Sequence, residues 1–132
     1  MLYAVHKGHQ DYGGGQSEII HLVTTVRTAI ASGRPWAFTD RHAEIQHALY
    51  YDSLASLELL EWDAIGARQW GGADKQDVKE QKQAEFLVHE HVPWTAIALV
   101  GVANDLLKGR VEGILRGGSH EPSVQVEPAW YY

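Results

Sequence analysis

The sequence predicts an α+β domain in which helices flank a mainly antiparallel sheet. Three observations favour this class. Strand-like segments lie near both ends of the chain, and helical segments lie between them. Strands and helices do not alternate regularly, and no glycine-rich motif joins a strand to a helix, as parallel dinucleotide-binding folds require. The length of 132 residues suits one core, so we expect residues 1–132 to form a single domain.

The first half of the chain is expected to begin with a loop and then to form two strands and three helical segments. Adjacent glycines predict the loop, because glycine neither holds a helix nor fills a core. Gly33 and Pro35 end the first helix, and Asp40 is a suitable N-cap for the second. In order, the elements are a loop at Tyr12–Gln16, a strand at Ile19–Val26, a helix at Val26–Ser32, a strand at Trp36–Thr39, a helix at Arg41–Tyr51 and a helix at Leu54–Leu60.

The second half is expected to contain three strands and one long helix. A polar, charged segment comes first and predicts a loop or a frayed helix. β-branched residues predict strands, and an apolar stripe that stops at Gly117 predicts the helix. In order, the elements are a loop at Gly71–Lys82, strands at Gln83–His89 and Ile97–Ala103, a helix at Asp105–Leu115 and a strand at Val124–Val126.

Composition and charge restrict the function. The chain has no cysteine, which excludes disulfides and thiolate metal sites and fits a reducing cytoplasm. The longest apolar run, Ala96–Ala103, is too short to span a bilayer, and the first residues lack a signal-peptide pattern. The net charge of −6 argues against a broad nucleic-acid-binding surface, because phosphate contact favours a basic one. Any nucleic-acid site must therefore be local.

Glu85 is a lone carboxylate at the junction between a charged segment and an apolar one. On the predicted strand it shares a face with Gln83, whereas Phe86 points to the opposite face. Residues two apart on one face lie roughly 7 Å apart, close enough to contact neighbouring parts of one ligand. Two interpretations stay open on pattern alone. One is a strand end whose outer face meets water, and the other is a cleft carboxylate oriented by a neighbouring amide.

Histidine is frequent enough, at eight residues, to raise the question of a metal site. His6 and His9 are spaced for one helix face, and His89 and His91 lie on one side of the predicted strand. Neither pair is joined by third and fourth ligands at a recognisable spacing. The sequence therefore predicts no metal site.

Six short stretches, in order along the chain, carry a resemblance to a known family. They read "MLYAVHKGH", "YGGGQSEIIHLVT", "FTDRHA", "LEWDAIGARQW", "KQAEFLVHEHVPW" and "VEPAWYY". No single stretch is highly specific, but six in this order are, and together they span nearly the whole chain. They resemble the DarT family of DNA-modifying ADP-ribosyltransferase toxins. The resemblance implies an ADP-ribosyltransferase-like fold and NAD as the donor of ADP-ribose.

The resemblance also implies roles for Glu85 and the residues before it. Glu85 matches the family's catalytic glutamate, whose carboxylate binds the 2′-hydroxyl of the nicotinamide ribose and stabilises the positive charge that develops at C1′. Gln83 matches the first position of a Gln-x-Glu pattern that positions the acceptor. Residues 71–82 resemble the substrate-recognition loop. The basic residues of this loop that are expected to bind single-stranded DNA are Lys75, Lys79 and Lys82. A solvated loop with balanced charges is the alternative.

Three further residues are candidates for ligand contact. Arg41 and His42 lie in the first turn of a predicted helix, where backbone N–H groups favour anions. The resemblance implies that one of them contacts the DNA or the target base, although a histidine at this place is otherwise a structural residue. Tyr3 is the residue implied for contact with NAD.

The chain begins inside the pattern of the family it resembles. Met1-Leu2-Tyr3 matches a point that a strand, early NAD contacts and an arginine precede in the family. We therefore expect an N-terminally truncated domain with little or no transferase activity on its own. An inactive module that binds DNA or an antitoxin is the alternative, and a small metal-dependent hydrolase is a weaker one. The resemblance implies thymidine as the target base, a cytoplasmic location and DarG, a macrodomain antitoxin, as a partner.

Overall fold

The computed structural model describes residues 5–8, 12–72 and 75–131. The chain forms two compact units, one from Met1–Ala29 with Pro93–Tyr132 and one from Ile30–Val92. Each unit contains a three-stranded sheet. The mixture of small sheets and helices confirms the expected class, whereas a single domain over residues 1–132 stays a prediction.

The described residues form short strands and helices joined by long irregular segments. The strands are β1 (His21–Val23), β2 (Trp36–Thr39), β3 (Tyr50–Tyr51), β4 (Phe86–Val88), β5 (Leu99–Val102) and β6 (Ser123–Val126). The α-helices are α1 (Val26–Ala31), α2 (Trp62–Gly66), α3 (Gln76–Gln81) and α4 (Asp105–Leu115). Single 3₁₀ segments lie at Gln16–Glu18, Leu54–Leu59, Trp94–Ala96 and Pro128–Trp130.

The first unit contains a sheet in the order β1-β5-β6. β1 is antiparallel to β5, and β5 is parallel to β6, with α4 as the connection between them. The α4 helix begins where Asn104 Oδ1 accepts a hydrogen bond from Leu107 N at 2.9 Å, an ordinary N-cap. A βαβ connection is therefore present, although the sequence showed no regular alternation of strands and helices. The buried core between α4 and this sheet consists of Val100, Val102, Val111 and Val124.

The close approach of an aromatic segment to β5 depends on Gly101. The Trp130 ring lies so near that a Cβ at this position would collide with it. The His21 ring meets Trp130 and Tyr131 edge-on, at centroid distances of 5.4 and 5.0 Å. Burial lowers the pKa of His21 and raises that of Tyr131. The residues near the end of the chain thus pack on the β1-β5 pair.

The second unit contains an antiparallel sheet in the order β3-β2-β4. Its central strand, β2, is paired by Trp36 to Val88 and by Phe38 to Phe86. The Trp36 and Phe86 rings stack at 5.5 Å, and such aromatic pairs stabilise a small sheet. This sheet fixes the position of the residue that precedes β4, which is Glu85.

The structure changes several predicted boundaries. Residues 41–49 form turns rather than the predicted helix, and Tyr50–Tyr51 is a strand paired with β2. The pairing of β3 overrides the helical spacing of the preceding apolar residues. Gln83–His89 is reduced to the strand Phe86–Val88, because α3 and its terminal turn extend to residue 83. Ile19–Val26 is likewise reduced to His21–Val23.

The described ranges contain no helix that is both long enough and apolar enough to cross a membrane.

We predict that Gly101→Ala destabilises the chain by about 1–3 kcal/mol, because either the Trp130 ring or β5 must move. The matched control is Gly109→Ala on α4, where a new Cβ would meet nothing within 4 Å. There the higher helix propensity of alanine should stabilise the chain by up to about 1 kcal/mol. Urea unfolding of the two variants measures both effects. A Gly101→Ala variant as stable as the parent would contradict the described packing.

Candidate active site

Thr39 joins the end of β2 to the residue before β4. Its side chain is fully buried, with a relative exposure of 0%. The backbone N–H of Thr39 donates to the Glu85 carbonyl at 2.9 Å, and the Glu85 N–H donates to Thr39 Oγ1 at 3.2 Å. The hydroxyl in turn donates to the Arg41 carbonyl at 2.6 Å. The backbone of Glu85 is therefore fixed by a buried group that has both an acceptor and a donor role.

The Glu85 side chain is oriented by a backbone amide. Ala43 N–H donates to Glu85 Oε2 at 2.8 Å. The carbonyl of the same Ala43 accepts a hydrogen bond from the Tyr50 hydroxyl, which steadies the residue. Oε2 is thus held by an N–H group, and Oε1 is the second acceptor atom of the same carboxylate. The sequence-based interpretation of an oriented carboxylate thus has a geometric counterpart, although the orienting amide belongs to the backbone.

Ala43 lies in a segment that we name the 40–49 loop, which runs from Asp40 to Leu49. Asp40 Oδ1 accepts from Leu49 N–H at 2.9 Å, and Asp40 N–H donates to the Leu49 carbonyl at 3.3 Å. Asp40 Oδ2 accepts from Arg41 Nε and Nη2 at 3.1 and 3.0 Å. Burial opposes ionisation of Asp40, but the bonds from Arg41 and Leu49 hold its pKa below the usual value. Asp40 therefore closes this loop, whereas the sequence had predicted a helix N-cap.

Glu80 on α3 binds two positions of the 40–49 loop. Its Oε2 accepts from Arg41 Nη1 at 2.9 Å and lies 3.1 Å from His47 Nε2. Its Oε1 accepts from Gln76 Nε2 at 2.8 Å. Hydrogen bonds from Gln76, His47 and Arg41 hold the pKa of Glu80 below its usual value against the effect of burial. The bonds to Asp40 and Glu80 raise the pKa of Arg41. In the alternative of a solvated loop, Glu80 is one of the acids that balance the lysines of residues 71–82.

The remaining predicted residues differ in how they are held. Gln83 Nε2 donates to the Lys79 carbonyl at 2.9 Å, and Lys82 Nζ donates to the Ile65 carbonyl at 2.9 Å. The Lys82 ammonium thus serves the end of α2, where a cation is favourable. Lys79 is exposed and Lys75 is half-buried. Their contact with DNA stays a prediction.

Arg41, His42 and Tyr3 also have different outcomes. The Arg41 guanidinium, with a side-chain exposure of 14%, is paired with Asp40 and Glu80. His42 Nδ1 accepts from Glu44 N–H at 3.2 Å, which leaves Nε2 as the other polar atom of the ring. A direct role of Arg41 or His42 toward DNA stays a prediction. Tyr3 lies outside the described residues.

Within the part of the chain that the structure describes, no three His, Cys, Asp or Glu side chains are grouped as metal ligands would be. His9 lies outside that part. His91 Nε2 lies 3.2 Å from Arg34 Nη2, and the same guanidinium is paired with Glu90. The Arg34 guanidinium therefore contacts both Glu90 and His91, which follow β4.

The chain is similar to known proteins over its whole length. The family model described as "ssDNA thymidine ADP-ribosyltransferase, DarT" matches residues 1–132. A DNA ADP-ribosyl transferase of Thermus aquaticus is 40% identical over 134 residues, which cover 100% of this chain and 58% of that protein. A DNA ADP-ribosyl transferase of Thermus sp. strain 2.9 is 39% identical, with 63% of its length covered.

Solved structures match as well. The structure of Thermus sp. 2.9 DarT in complex with carba-NAD+ has a TM-score of 0.93 and 38% identity, and the match covers 99% of this chain and 67% of that one. The same protein in complex with ADP-ribosylated ssDNA gives a TM-score of 0.93, with 63% of that chain covered. This chain thus spans about 60% of the length of the first two curated relatives.

We predict that acid weakens the second unit through Asp40. A carboxyl whose pKa is lowered on folding contributes stability above its ordinary value of 3.8, and this contribution disappears as the pH falls through the folded value. Stability against urea should therefore fall steeply below a pH of about 4. Asp40→Asn should start less stable and show a shallower fall, whereas the exposed Asp52→Asn should retain the parent's dependence. An unchanged acid limb in Asp40→Asn would contradict the assignment.

Proposed function

This chain belongs to the DarT family of ssDNA thymidine ADP-ribosyltransferases, and on that premise we propose that the protein containing it transfers ADP-ribose from NAD to thymidine in single-stranded DNA. One observation carries the proposal. Glu85, at the position that resembles the family's catalytic glutamate, has one carboxylate oxygen held by the Ala43 amide. The other oxygen is then the acceptor for a hydroxyl of the donor.

Glu85 acts by electrostatics in this proposal. Its carboxylate binds the 2′-hydroxyl of the nicotinamide ribose and stabilises the positive charge that grows at C1′ as the bond to nicotinamide breaks. A nucleophilic atom of the thymine base then donates an electron pair to C1′ and forms the new bond, and the proton that the base loses passes to solvent. NAD is consumed as a co-substrate, with nicotinamide as the leaving group. The Ala43 amide holds the carboxylate in its working orientation, so no reorientation is needed in the transition state.

The DNA strand is proposed to lie along the segment that precedes Glu85. Lys75 and Lys79 supply positive charge there, and Gln83 is proposed to position the acceptor base. Such a local basic segment can bind a strand even when the whole chain carries a net charge of −6. Lys82 contributes less directly, because its ammonium is bonded to the Ile65 carbonyl.

We further propose that this protein is the toxin of a toxin–antitoxin pair. The partner would be a DarG-like macrodomain protein that removes the modification. Because the substrate is cellular DNA, the proposed location is the cytoplasm. These proposals rest on the family alone.

We predict that Glu85→Gln lowers the transfer rate by at least about 100-fold, because it keeps the acceptor for Ala43 N–H but removes the charge. The assay uses a chimera in which this chain replaces the matching 134 residues of the Thermus sp. 2.9 relative. Mass spectrometry of a thymidine-containing oligonucleotide incubated with NAD measures the product. The 132-residue chain assayed in parallel tests the expectation of little activity on its own.

The matched control for this experiment is Glu112→Gln, which removes an exposed acid from the pair with Lys108 on α4. It should keep the parent rate. A chimera with Glu85→Gln that remains fully active would refute the assignment of the catalytic acid. A chimera that binds the oligonucleotide without consuming NAD would favour the alternative of a DNA-binding module.

We predict that Lys79→Gln weakens the binding of single-stranded DNA and makes it less sensitive to salt. Each phosphate contact contributes about 0.7 to the slope of log affinity against log salt concentration for a single strand, so the slope should fall by about that amount. Fluorescence anisotropy with a labelled oligonucleotide measures it. Lys108→Gln on α4 is the matched control and should leave the slope unchanged. Equal slopes for all three proteins would exclude contact between Lys79 and phosphate.

A further inference from the structure

We propose that Glu80 is a positioning residue for Glu85: its carboxylate holds the 40–49 loop against α3, and the loop holds the carboxylate of Glu85. The inference rests on the proposed function for its catalytic meaning. The effect of Glu80 on the position of Glu85 involves only residues of the second unit. It can be tested without measuring transferase activity.

Two separate positions of the 40–49 loop contact the same oxygen, Oε2 of Glu80. Glu80 Oε2 accepts from Arg41 near the start of the loop and is bonded to His47 near its end. Gln76, one helical turn earlier on α3, donates to Oε1 and fixes the rotamer of Glu80. The side chain of Glu80 has an exposure of only 16%, so these bonds are partly shielded from water. Glu80 therefore connects the helix to two separate points of the loop.

The second step leads from Arg41 to Glu85. The Arg41 carbonyl accepts from Thr39 Oγ1, which also accepts from the Glu85 backbone N–H. Two residues further on, Ala43 N–H donates to Glu85 Oε2. The backbone of residues 41–43 is thus the part of the loop that contacts Glu85. A change in the placement of the Arg41 side chain acts on this short stretch.

The third step concerns charge. The Arg41 guanidinium lies between two carboxylates, those of Asp40 and Glu80. When the Glu80 charge is removed, Asp40 becomes the stronger partner, and the attraction that draws Arg41 toward α3 is lost. Asp40 precedes Arg41 in the chain and cannot replace the link to the helix. The expected result is a looser loop and a weaker bond between Ala43 and Glu85.

The test is hydrogen exchange of the Ala43 amide in the 132-residue chain, followed by NMR. Glu85→Ala removes the acceptor of the Ala43 N–H group. Its exchange rate at Ala43 is the reference for an amide without this hydrogen bond. Glu80→Gln should accelerate exchange at Ala43 by about fivefold, and Arg41→Gln should do the same because it breaks the same link. Exchange at Val102 in the other unit should be unchanged. If Glu80→Ala raises hydrogen exchange throughout the chain, that variant is unfolded. The result for Glu80→Gln then decides whether Glu80 positions Glu85.

Two controls separate this link from a general effect of losing an ion pair. Glu112→Gln removes an exposed pair on α4, and Glu90→Gln removes the pair with Arg34 in the same unit. Neither should alter Ala43. Parent rates at Ala43 in both Glu80→Gln and Arg41→Gln would overturn the proposal.

The chimera provides the catalytic readout. Glu80→Gln should lower kcat by about fivefold while KM for the oligonucleotide does not rise, because Glu80 carries no positive charge for phosphate. A raised KM with unchanged kcat and unchanged Ala43 exchange would assign Glu80 to DNA binding and refute the positioning role. If the chimera shows no transferase activity, the proposed function fails, but the Ala43 exchange still decides whether Glu80 positions Glu85.

Discussion

The placement of Glu85 depends on the hydroxyl of Thr39. A buried hydroxyl must satisfy both a donor and an acceptor role, and here the two partners are backbone groups on either side of the site. Because the side chain is fully buried, water cannot substitute for either partner. The same residue extends the pairing of β2 toward Glu85. A sheet of three short strands thereby holds a polar residue beyond its last regular pair.

A second constraint is the balance of charge around the 40–49 loop. An acidic chain places two carboxylates, Asp40 and Glu80, around one guanidinium. Both acids have lowered pKa values, so they stay ionised to a lower pH than free carboxyl groups do. The Arg41 guanidinium is held by carboxylates of its own unit. Lys79 on α3 is exposed, by contrast, and contact with phosphate is proposed for it.

The sequence predicted the fold class correctly but did not reveal the 40–49 loop. The predicted strand put Glu85 and Phe86 on opposite faces, but the observed strand begins only at Phe86. The role of Glu85 is implied by the resemblance and remains a prediction. The helix predicted at Arg41–Tyr51 was wrong, because spacing within one segment does not reveal that Tyr50–Tyr51 pairs with β2. The same limit concealed the bonds from Ala43 and Glu80, which join residues far apart in the chain. The one available signal was Asp40, since aspartate closes loops as readily as it caps helices.

The pairing of β1 with β5 has a consequence for the order of folding. Leu22 pairs with Val100, although the whole of residues 30–92 lies between them in the chain. During synthesis, the sheet of β3, β2 and β4 can be completed while β5 is still absent. During that time β1 lacks its partner β5. The later pairing of β1 with β5 closes a long loop at an entropic cost. The unit that contains Glu85 can therefore fold first during synthesis. The unit that contains Trp130 and Tyr131 folds later, because β1 is synthesised long before its partner β5.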